Sequence, residues 1–143
     1  MYLLDTNTVN LVLRNPTPYL QARITAVPAT EIYISVVGVE EILKGVLGPL
    51  HANRKTPAVT RHYSFLKTLI GDLCVFQVLA YDEAAEAIYQ GFSATVRRVG
   101  LADCRIAASA MAQNPQYTVI TRNLSDFRTT GALCENWIDP PNE

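Results

Sequence analysis

Short runs of apolar residues alternate with amphipathic segments along the chain. The apolar runs predict strands at Tyr2 to Asp5, Ile32 to Ser35, Cys74 to Leu79 and Tyr117 to Ile120, and residues 133 to 138 suggest a short fifth strand at an edge. Runs of this kind are typical of parallel strands that are covered on both faces. The alternation of strand and helix signals therefore predicts an α/β fold with a central parallel sheet.

The predicted helices share a polar cap at the start and a glycine or proline at the end. They run from Thr6 or Asn7 to about Arg14, from Thr17 and Pro18 to about Ala26, from Val36 to about Leu47 before Gly48 and Pro49, from Thr56 to Gly71, from Asp82 toward Arg97 and Arg98 before Gly100, and from Asp103 through IAASAMAQ. In the fourth of these helices, the expected apolar stripe consists of Val59, Tyr63, Leu66 and Ile70.

Length and composition indicate an ordinary folded domain. The chain has 143 residues, 49% of them hydrophobic and 17% charged, so we expect a single domain over residues 1–143. The longest uncharged segment, Ile106 to Thr121, is interrupted by Gln113 to Pro115, which argues against a membrane span. No leader pattern precedes the first predicted strand, and we expect a cytoplasmic protein.

The cysteines and histidines give no sign of a soft-metal site. Cys74, Cys104 and Cys134 form no C-x-x-C pair and are flanked by apolar residues, so they are expected to be small buried hydrophobes. His51 and His62 lie in or beside a polar segment without a second ligand at metal spacing. No zinc-binding or catalytic histidine is expected.

Acidic residues stand where the predicted elements begin or end: Asp5 in YLLDTN, Glu41 in VVGVEEILKG, Asp103 in GLADCRIAASA and Asp126 in TRNLSDF. Parallel strands deliver side chains to the crevice at their carboxyl ends. Two carboxylates about 4 to 5 Å apart repel by roughly 3 to 4 kcal/mol at an effective dielectric near 20, so a cluster must be protonated or bind a cation. Oxygen ligands suit Mg²⁺ or Mn²⁺, and such ions also bind substrate phosphates. The pattern indicates a phosphodiester substrate.

Three of these acids also have a purely structural explanation. Asp5 is placed to cap a helix, and Asp103 lies at a helix start, where the macrodipole stabilises a carboxylate. Asp126 fits turn chemistry or a helix cap. Position alone does not separate these explanations from a metal-binding role.

The choice between Glu40 and Glu41 stays open on pattern alone. A helical period puts Val39, Leu43 and Val46 on the core stripe and Glu41 on the opposite face. A residue on the rim of an open cleft would show the same pattern as one on a solvated face.

Taken together, the four segments resemble the PIN-domain ribonucleases and, more narrowly, the VapC-type toxins of bacterial toxin–antitoxin pairs. LLDTN matches the opening strand with Asp-Thr-Asn, ISVVGVEEILKG the Ile-Ser-x-x-x-x-x-Glu-Leu-x-x-Gly segment, GLADCRIAA the Gly-x-x-Asp-x-x-Ile-Ala-Ala segment and TRNLSDF the Thr-x-Asn-x-x-Asp-Phe segment. The match covers nearly the full length. It favours Glu41 over Glu40, because Glu41 is followed by an aliphatic residue and then by Gly45 at the expected interval.

The resemblance implies a three-layer α/β/α PIN-like domain with a parallel sheet of four to five strands in the order 3-2-1-4-5. It also implies a catalytic and metal-binding set, consisting of Asp5, Glu41, Asp103 and Asp126, with Thr121 and Asn123 as polar support. The implied activity is a Mg²⁺- or Mn²⁺-dependent endoribonuclease that hydrolyses RNA phosphodiester bonds through a metal-activated water. A small antitoxin protein and a second copy of the chain are the implied partners.

The charge balance permits RNA binding. The formal net charge is −1. When the four candidate acids are left out, the chain has nine acidic and twelve basic residues. Basic side chains that are candidates for contacts with the RNA backbone are Arg14, Lys44, Arg97, Arg98, Arg105 and Arg122. Arg122 is preferred among them because it lies between Thr121 and Asn123.

Two positions depart from the family pattern: Gly38 replaces a threonine common before the glutamate, and some relatives carry the fourth acid where Asn123 stands. Alternative functions are a catalytically inactive PIN-like module that binds its partner on DNA, and a housekeeping PIN nuclease without an antitoxin. A haloacid-dehalogenase-type phosphotransferase would require Asp-x-Asp after the first strand, where this chain has Asp5, Thr6 and Asn7.

Overall fold

A computed structural model describes residues 1–141 of the chain. Within these residues, five strands are β1 (Tyr2–Leu4), β2 (Ile32–Ser35), β3 (Gln77–Leu79), β4 (Thr118–Ile120) and β5 (Cys134–Glu135). They form one sheet in the order β3-β2-β1-β4-β5, and every pairing is parallel. The α/β class and the strand order are as predicted, and residues 133 to 138 do contain a short edge strand.

Eight helices lie in residues 1–141: α1 (Thr6–Arg14), α2 (Pro18–Thr25), α3 (Val36–Ala52), α4 (Val59–Leu73), α5 (Glu83–Gln90), α6 (Ala94–Arg97), α7 (Leu101–Met111) and α8 (Leu124–Thr130). A 3₁₀ turn, Ala29–Glu31, precedes β2. No helix in this part of the chain is both long and apolar enough to span a membrane.

The helices cover both faces of the sheet. Neighbouring residues of a strand point to opposite faces, so Leu4 contributes to a core formed with α1 to α4, whereas Leu3 packs toward α7 and α8. Trp137 and Phe127, both almost fully buried, add the largest side chains to the two cores. The result is three layers, with the sheet in the middle.

The register of the central strands brings their carboxyl ends to the same level. Leu4 of β1 pairs with Ile34 of β2 and with Ile120 of β4. Asp5 and Thr121 are the residues that follow Leu4 and Ile120, so they lie side by side at one edge of the sheet. This edge is where the candidate site is built.

Helix α3 extends beyond its predicted end at Leu47. The helix continues through Gly48 and Pro49, and Leu50 is only 3% exposed. Pro49 removes one helical hydrogen bond, but burying a leucine side chain contributes about 1.5 to 3 kcal/mol. Burial of the last turn therefore outweighs the stop signal that proline and glycine give in the sequence.

The single long helix predicted from Asp82 toward Arg98 is two helices. Asp82 caps α5 as expected, with its carboxylate accepting a hydrogen bond from the Ala85 N–H at 3.0 Å. The chain then breaks at Gly91, and the Ser93 hydroxyl accepts the Val96 N–H at 3.2 Å to begin α6. A serine that caps a new helix offers the backbone an alternative to continuing the old one.

The apolar stripe predicted for α4 is wrong in part. Tyr63 and Ile70 are 52% and 51% exposed, while the buried residues of the helix are Leu69 and Leu73. The helix begins later than predicted and continues past Gly71, because Leu73 packs into the core. The phase of the stripe is set by contact with α3 and the sheet, which local spacing did not reveal.

One cysteine prediction is also wrong. Cys104 is buried and Cys134 is partly buried, but Cys74 is exposed. The third strand begins at Gln77 and not at Cys74, so this thiol lies in the turn after α4.

The extension of α3 makes Leu50 a test of the fold. We expect Leu50→Ala to lower the free energy of unfolding by roughly 2 to 5 kcal/mol, because it removes buried apolar volume. The neighbouring His51 is exposed, so His51→Ala serves as the control and is expected to change stability by less than about 0.5 kcal/mol. Urea unfolding measures both; equal effects would contradict the position of this last turn.

Candidate active site

Asp5 links the first strand to the first helix. Its N–H donates to the Ile120 carbonyl at 3.1 Å, and its Oδ1 accepts the Thr8 N–H at 2.7 Å. Asp5 therefore caps α1, and the predicted cap at Thr6 or Asn7 is wrong. The residue is only 4% exposed. Within residues 1–141, the Asp5 carboxylate accepts a hydrogen bond only at Oδ1. Its second oxygen, Oδ2, is therefore left to bind a ligand.

Thr8 holds α1 against the neighbouring strand. Its hydroxyl donates to the Ile120 carbonyl at 3.0 Å, and its side chain is fully buried. Two bonds from the start of α1 thus end on one carbonyl of β4, and they position Asp5 at the sheet edge.

Glu41 reaches the site from α3. The Thr6 hydroxyl donates to Glu41 Oε2 at 2.5 Å, although 35 residues separate the two along the chain. Glu40, by contrast, is exposed and pairs with Lys44 at 2.5 Å on the surface of the same helix. The structure thus places Glu41, and not Glu40, next to the carboxyl end of β1. Ile42 is the buried residue at this level of α3, while the predicted Val39 and Leu43 are partly buried and pack against the same core.

Gly38 allows this approach. A Cβ atom at position 38 would lie 3.3 Å from the Thr6 hydroxyl oxygen, which is tighter than ordinary van der Waals contact. Glycine at this position, where the family commonly has threonine, therefore allows α3 to lie close to the start of α1.

Asp103 lies in the first turn of α7. The helix begins at Leu101, after Gly100 with a φ of 131°, and not at Asp103 as predicted. A left-handed φ of this size favours glycine. The N-terminus of α7 points its partial positive charge toward the carboxylate.

The pKa of Asp103 shows that the four acids share one neighbourhood. Burial, as the largest cause, and then the negative charges of Asp5, Glu41 and Asp126 together raise this pKa to about 6. Every charge that shifts it is negative, so no basic side chain neutralises the group. Asp5, Glu41 and Asp126, which lie far apart in the sequence, are therefore all near enough for their charges to act on Asp103.

Asp126 is held from its own turn. The Asn123 amide donates to Asp126 Oδ2, and the Asn123 N–H donates to the Thr121 hydroxyl at 2.9 Å. Thr121 is fully buried. The two residues predicted as polar support thus orient the turn and the acid.

Arg122, the basic residue preferred for RNA contact, is already engaged. Its Nε and one terminal nitrogen each donate to Asp139 at 2.9 Å, in a bidentate pair that is half exposed. Sequence reasoning did not anticipate this partner, which is 17 residues away.

The donor set fits a hydrated hard cation. In residues 1–141, no three His, Cys, Asp or Glu side chains lie close enough to enclose a metal ion on their own. Magnesium retains several waters and binds through one or two carboxylates, so acids at this wider spacing suit an ion held partly through water. The uncompensated negative charge around Asp103 favours any divalent cation there.

A cleft of about 420 Å³ opens beside Glu41. It is lined by Val37, Glu40, Glu41, Lys44, Leu101, Ala102 and Arg105. Both α3 and α7 contribute to its walls, and it adjoins the acidic site through Glu41.

Sequence reasoning missed the role of Thr6. It was expected only as a helix cap, whereas its hydroxyl orients Glu41. The available signal was its place directly after Asp5 in the LLDTN segment, which the resemblance already linked to the site.

Solved structures of toxin–antitoxin complexes are similar to this chain. FitAcB from Neisseria gonorrhoeae is 26% identical, with a TM-score of 0.72 over 96% of this chain and 98% of its own. DNA-bound VapBC from Salmonella typhimurium is 26% identical, with a TM-score of 0.70 over 95% and 97%. VapBC-1 from nontypeable Haemophilus influenzae, at 21% identity, shares the fold, with a TM-score of 0.71 over 96% and 98%.

These likenesses confirm the PIN-like fold and the resemblance to VapC-type toxins that the four acidic segments predict. No protein-family model matches the sequence, and no curated protein sequence matches it.

The raised pKa of Asp103 predicts how stability depends on pH in the metal-free protein. The folded state binds this proton more tightly than the unfolded chain, so the contribution of Asp103 to stability is fully present below its ordinary pKa of 3.8 and is lost as the pH rises through about 6. Asp103→Asn removes the charge, and at pH 7.5 we expect it to raise the free energy of unfolding by roughly 1 to 3 kcal/mol.

Urea unfolding of both proteins with a chelator, at pH 4 to 7.5, measures this difference. We expect the gap between them to widen with pH and to shrink when MgCl₂ replaces the chelator. A gap that does not change with pH would show that Asp103 ionises as an isolated carboxyl group.

Proposed function

We propose that the chain is a Mg²⁺- or Mn²⁺-dependent endoribonuclease and the toxin of a bacterial type II toxin–antitoxin pair. The observation that carries this proposal is the placement of Asp5 at the carboxyl end of β1, with Glu41 held nearby by Thr6 and with Asp103 under the negative charges of Asp5, Glu41 and Asp126. A site with that much uncompensated negative charge repels a phosphodiester unless a cation intervenes. The likeness to the Neisseria and Salmonella complexes supports the same class of protein.

The side chains divide the work as follows. Asp5, Glu41 and Asp103 would hold the cation directly or through waters, and Asp126 would complete a second site or orient the nucleophile. When bound, the cation would lower the pKa of an attacking water and offset charge on the phosphoryl oxygens. Thr6 keeps the Glu41 carboxylate turned toward Asp5, because its hydroxyl donates to Oε2.

The supporting residues limit movement of the acids. Asn123 fixes Asp126 through its amide, and the buried Thr121 hydroxyl fixes the backbone of Asn123. Fixed carboxylates need not reorganise as the reaction proceeds, which is where preorganised charge lowers a barrier.

The proposed partners follow from the neighbouring structures. They are complexes, and the one from Salmonella typhimurium is bound to DNA. We propose a cognate small antitoxin for this chain, a homodimer in the assembled state, and a cytoplasmic location. Residues 1–143 would form the single PIN-like domain of the toxin.

The inactive binding module is the less favoured alternative, because all four acids are present and three of them raise the pKa of the fourth, Asp103. A protein that only bound its partner would gain stability by losing one of them. The neighbouring gene distinguishes a toxin from a housekeeping nuclease. For a toxin, the adjacent reading frame should encode a small protein with a DNA-binding head.

Glu41 and Glu40 offer a matched pair for testing catalysis. We expect purified protein to cleave single-stranded RNA with Mg²⁺ or Mn²⁺ and to stop when a chelator is added. Glu41→Gln should lower the rate by about 100-fold or more, equivalent to about 2.7 kcal/mol of barrier. Glu40→Gln changes the same charge one residue away, on the surface, and should remain within about twofold.

Gel analysis of end-labelled RNA measures both rates. RNA that stays intact with the parent protein in either metal would reject the nuclease and favour the binding module. Equal losses in the two variants would reject Glu41 as a site residue while leaving the nuclease in place.

A further inference from the structure

The structure distinguishes the six basic residues that were candidates for RNA contact. Lys44 is paired with Glu40 at 2.5 Å, and Arg122 is held by Asp139. Arg97 donates to backbone carbonyls of α5 at 3.0 and 3.3 Å. These three side chains already donate hydrogen bonds to other groups of the protein.

Two further candidates lie elsewhere on the surface. Arg14, at the end of α1, stacks over the Phe65 ring with its guanidinium carbon 5.7 Å from the ring centroid. Arg98 is exposed at the end of α6. The basic residues that line the cleft beside Glu41 are Lys44 and Arg105.

Arg105 is held in a fixed position by two aromatic rings. Its guanidinium carbon lies 5.5 Å from the centroid of the Tyr81 ring and 5.3 Å from that of Tyr89. Tyr81 is in turn anchored, because its hydroxyl donates to Glu86. Stacking of this kind orients a planar guanidinium without consuming its N–H donors.

Arg105 is only partly satisfied by the described protein: its guanidinium lies within hydrogen-bonding reach of the Tyr81 hydroxyl, and its charge acts on Glu86. Its Nε is buried and has no hydrogen-bond partner within residues 1–141, and none of the ion pairs formed there includes Arg105. An unsatisfied buried N–H costs about 1 to 3 kcal/mol, so a native protein that keeps one usually has a functional reason.

The direction of Arg105 separates it from the acids. Asp103 precedes it by two residues on α7, and residues at that spacing face different sides of a helix. Leu101 and Ala102, at four and three residues before Arg105, share its face and line the same cleft. The guanidinium therefore belongs to the cleft that flanks the acidic site, with Glu41 at the boundary between the two.

We propose that Arg105 binds a backbone phosphate of the RNA strand next to the phosphate that is cleaved. The inference rests on the proposed nuclease function, because it assigns the flanking cleft to the same substrate. A strand whose scissile phosphate lies at the acids must place a neighbouring phosphate to one side of them. A guanidinium that lies over two rings and forms no ion pair within residues 1–141 keeps donors that suit a phosphate. Asp5, Glu41 and Asp103 would hold the cleaved group, and Arg105 would set the path of the strand.

Binding can be measured apart from cleavage in an Asp5→Asn background. Asparagine retains the helix cap that Asp5 provides, while the loss of charge silences catalysis. The probe is a fluorescein-labelled pool of single-stranded RNA 20-mers in MgCl₂, followed by fluorescence anisotropy. Adding Arg105→Gln should weaken binding about tenfold, as expected for loss of a charge-assisted pair.

The salt dependence identifies the kind of contact. Loss of one phosphate contact should reduce the slope of log Kd against log salt by about 0.7. Arg61→Gln is the matched control, because Arg61 is exposed on α4, and it should change Kd by less than about twofold. A thermal melt of each variant shows whether the fold is retained.

Arg105→Lys covers the case in which the glutamine variant fails to fold. Lysine keeps the charge and the aliphatic stem but loses the planar fork. It should weaken RNA binding by about threefold and leave the salt slope unchanged.

Each outcome decides between the two proposals. Parent protein that cleaves RNA, together with Arg105 variants that bind it as tightly and with the same salt slope, overturns the role of Arg105 alone. Arg105 variants that bind RNA normally but no longer bind a protein partner would also overturn the role of Arg105 in RNA binding. In that case the ligand of Arg105 would be a carboxylate of the partner. Parent protein that neither binds nor cleaves RNA overturns both.

Discussion

Repulsion among four carboxylates at one edge of a parallel sheet is the constraint on which the rest of this structure depends. Because Leu4 of β1 pairs with Ile120 of β4, Asp5 lies beside Thr121. Helices α3, α7 and α8 carry the other three acids, Glu41, Asp103 and Asp126, to the same edge. Such an arrangement costs folding free energy at neutral pH, as the pKa of Asp103 shows. The divalent cation proposed for this site would offset that cost, because a ligand that binds only the folded state stabilises it.

The strands and their order followed from local apolar runs and from a resemblance, because buried parallel strands leave a clear mark on a sequence. Helix ends were less predictable. Gly48 and Pro49 were interpreted as a helix end and Gly91 was not, but only Gly91 ends a helix. Burial of Leu50 favours continuation of α3, whereas Ser93 provides a new cap for α6.

The sequence names candidate site residues, but it does not give their contacts. Pattern alone left Glu40 and Glu41 equal, and the Thr6 hydroxyl that distinguishes them lies 35 residues away in the chain. The engagement of Arg122 by Asp139 and the stacking of Arg105 on two tyrosines are likewise contacts between distant segments. Local periodicity carries no information about such pairs, so the basic side of the site emerged only from the fold.

The most direct test of the central claim is paramagnetic broadening of backbone amide NMR signals by Mn²⁺ added below one equivalent. The account predicts that signals from four separate segments, around Asp5, Glu41, Asp103 and Asn123 to Asp126, fade together at the same Mn²⁺ concentration. Those of exposed acids elsewhere, such as Asp72 and Glu83, should persist. Broadening confined to one segment, or spread over surface acids, would show that the four carboxylates do not share one cation.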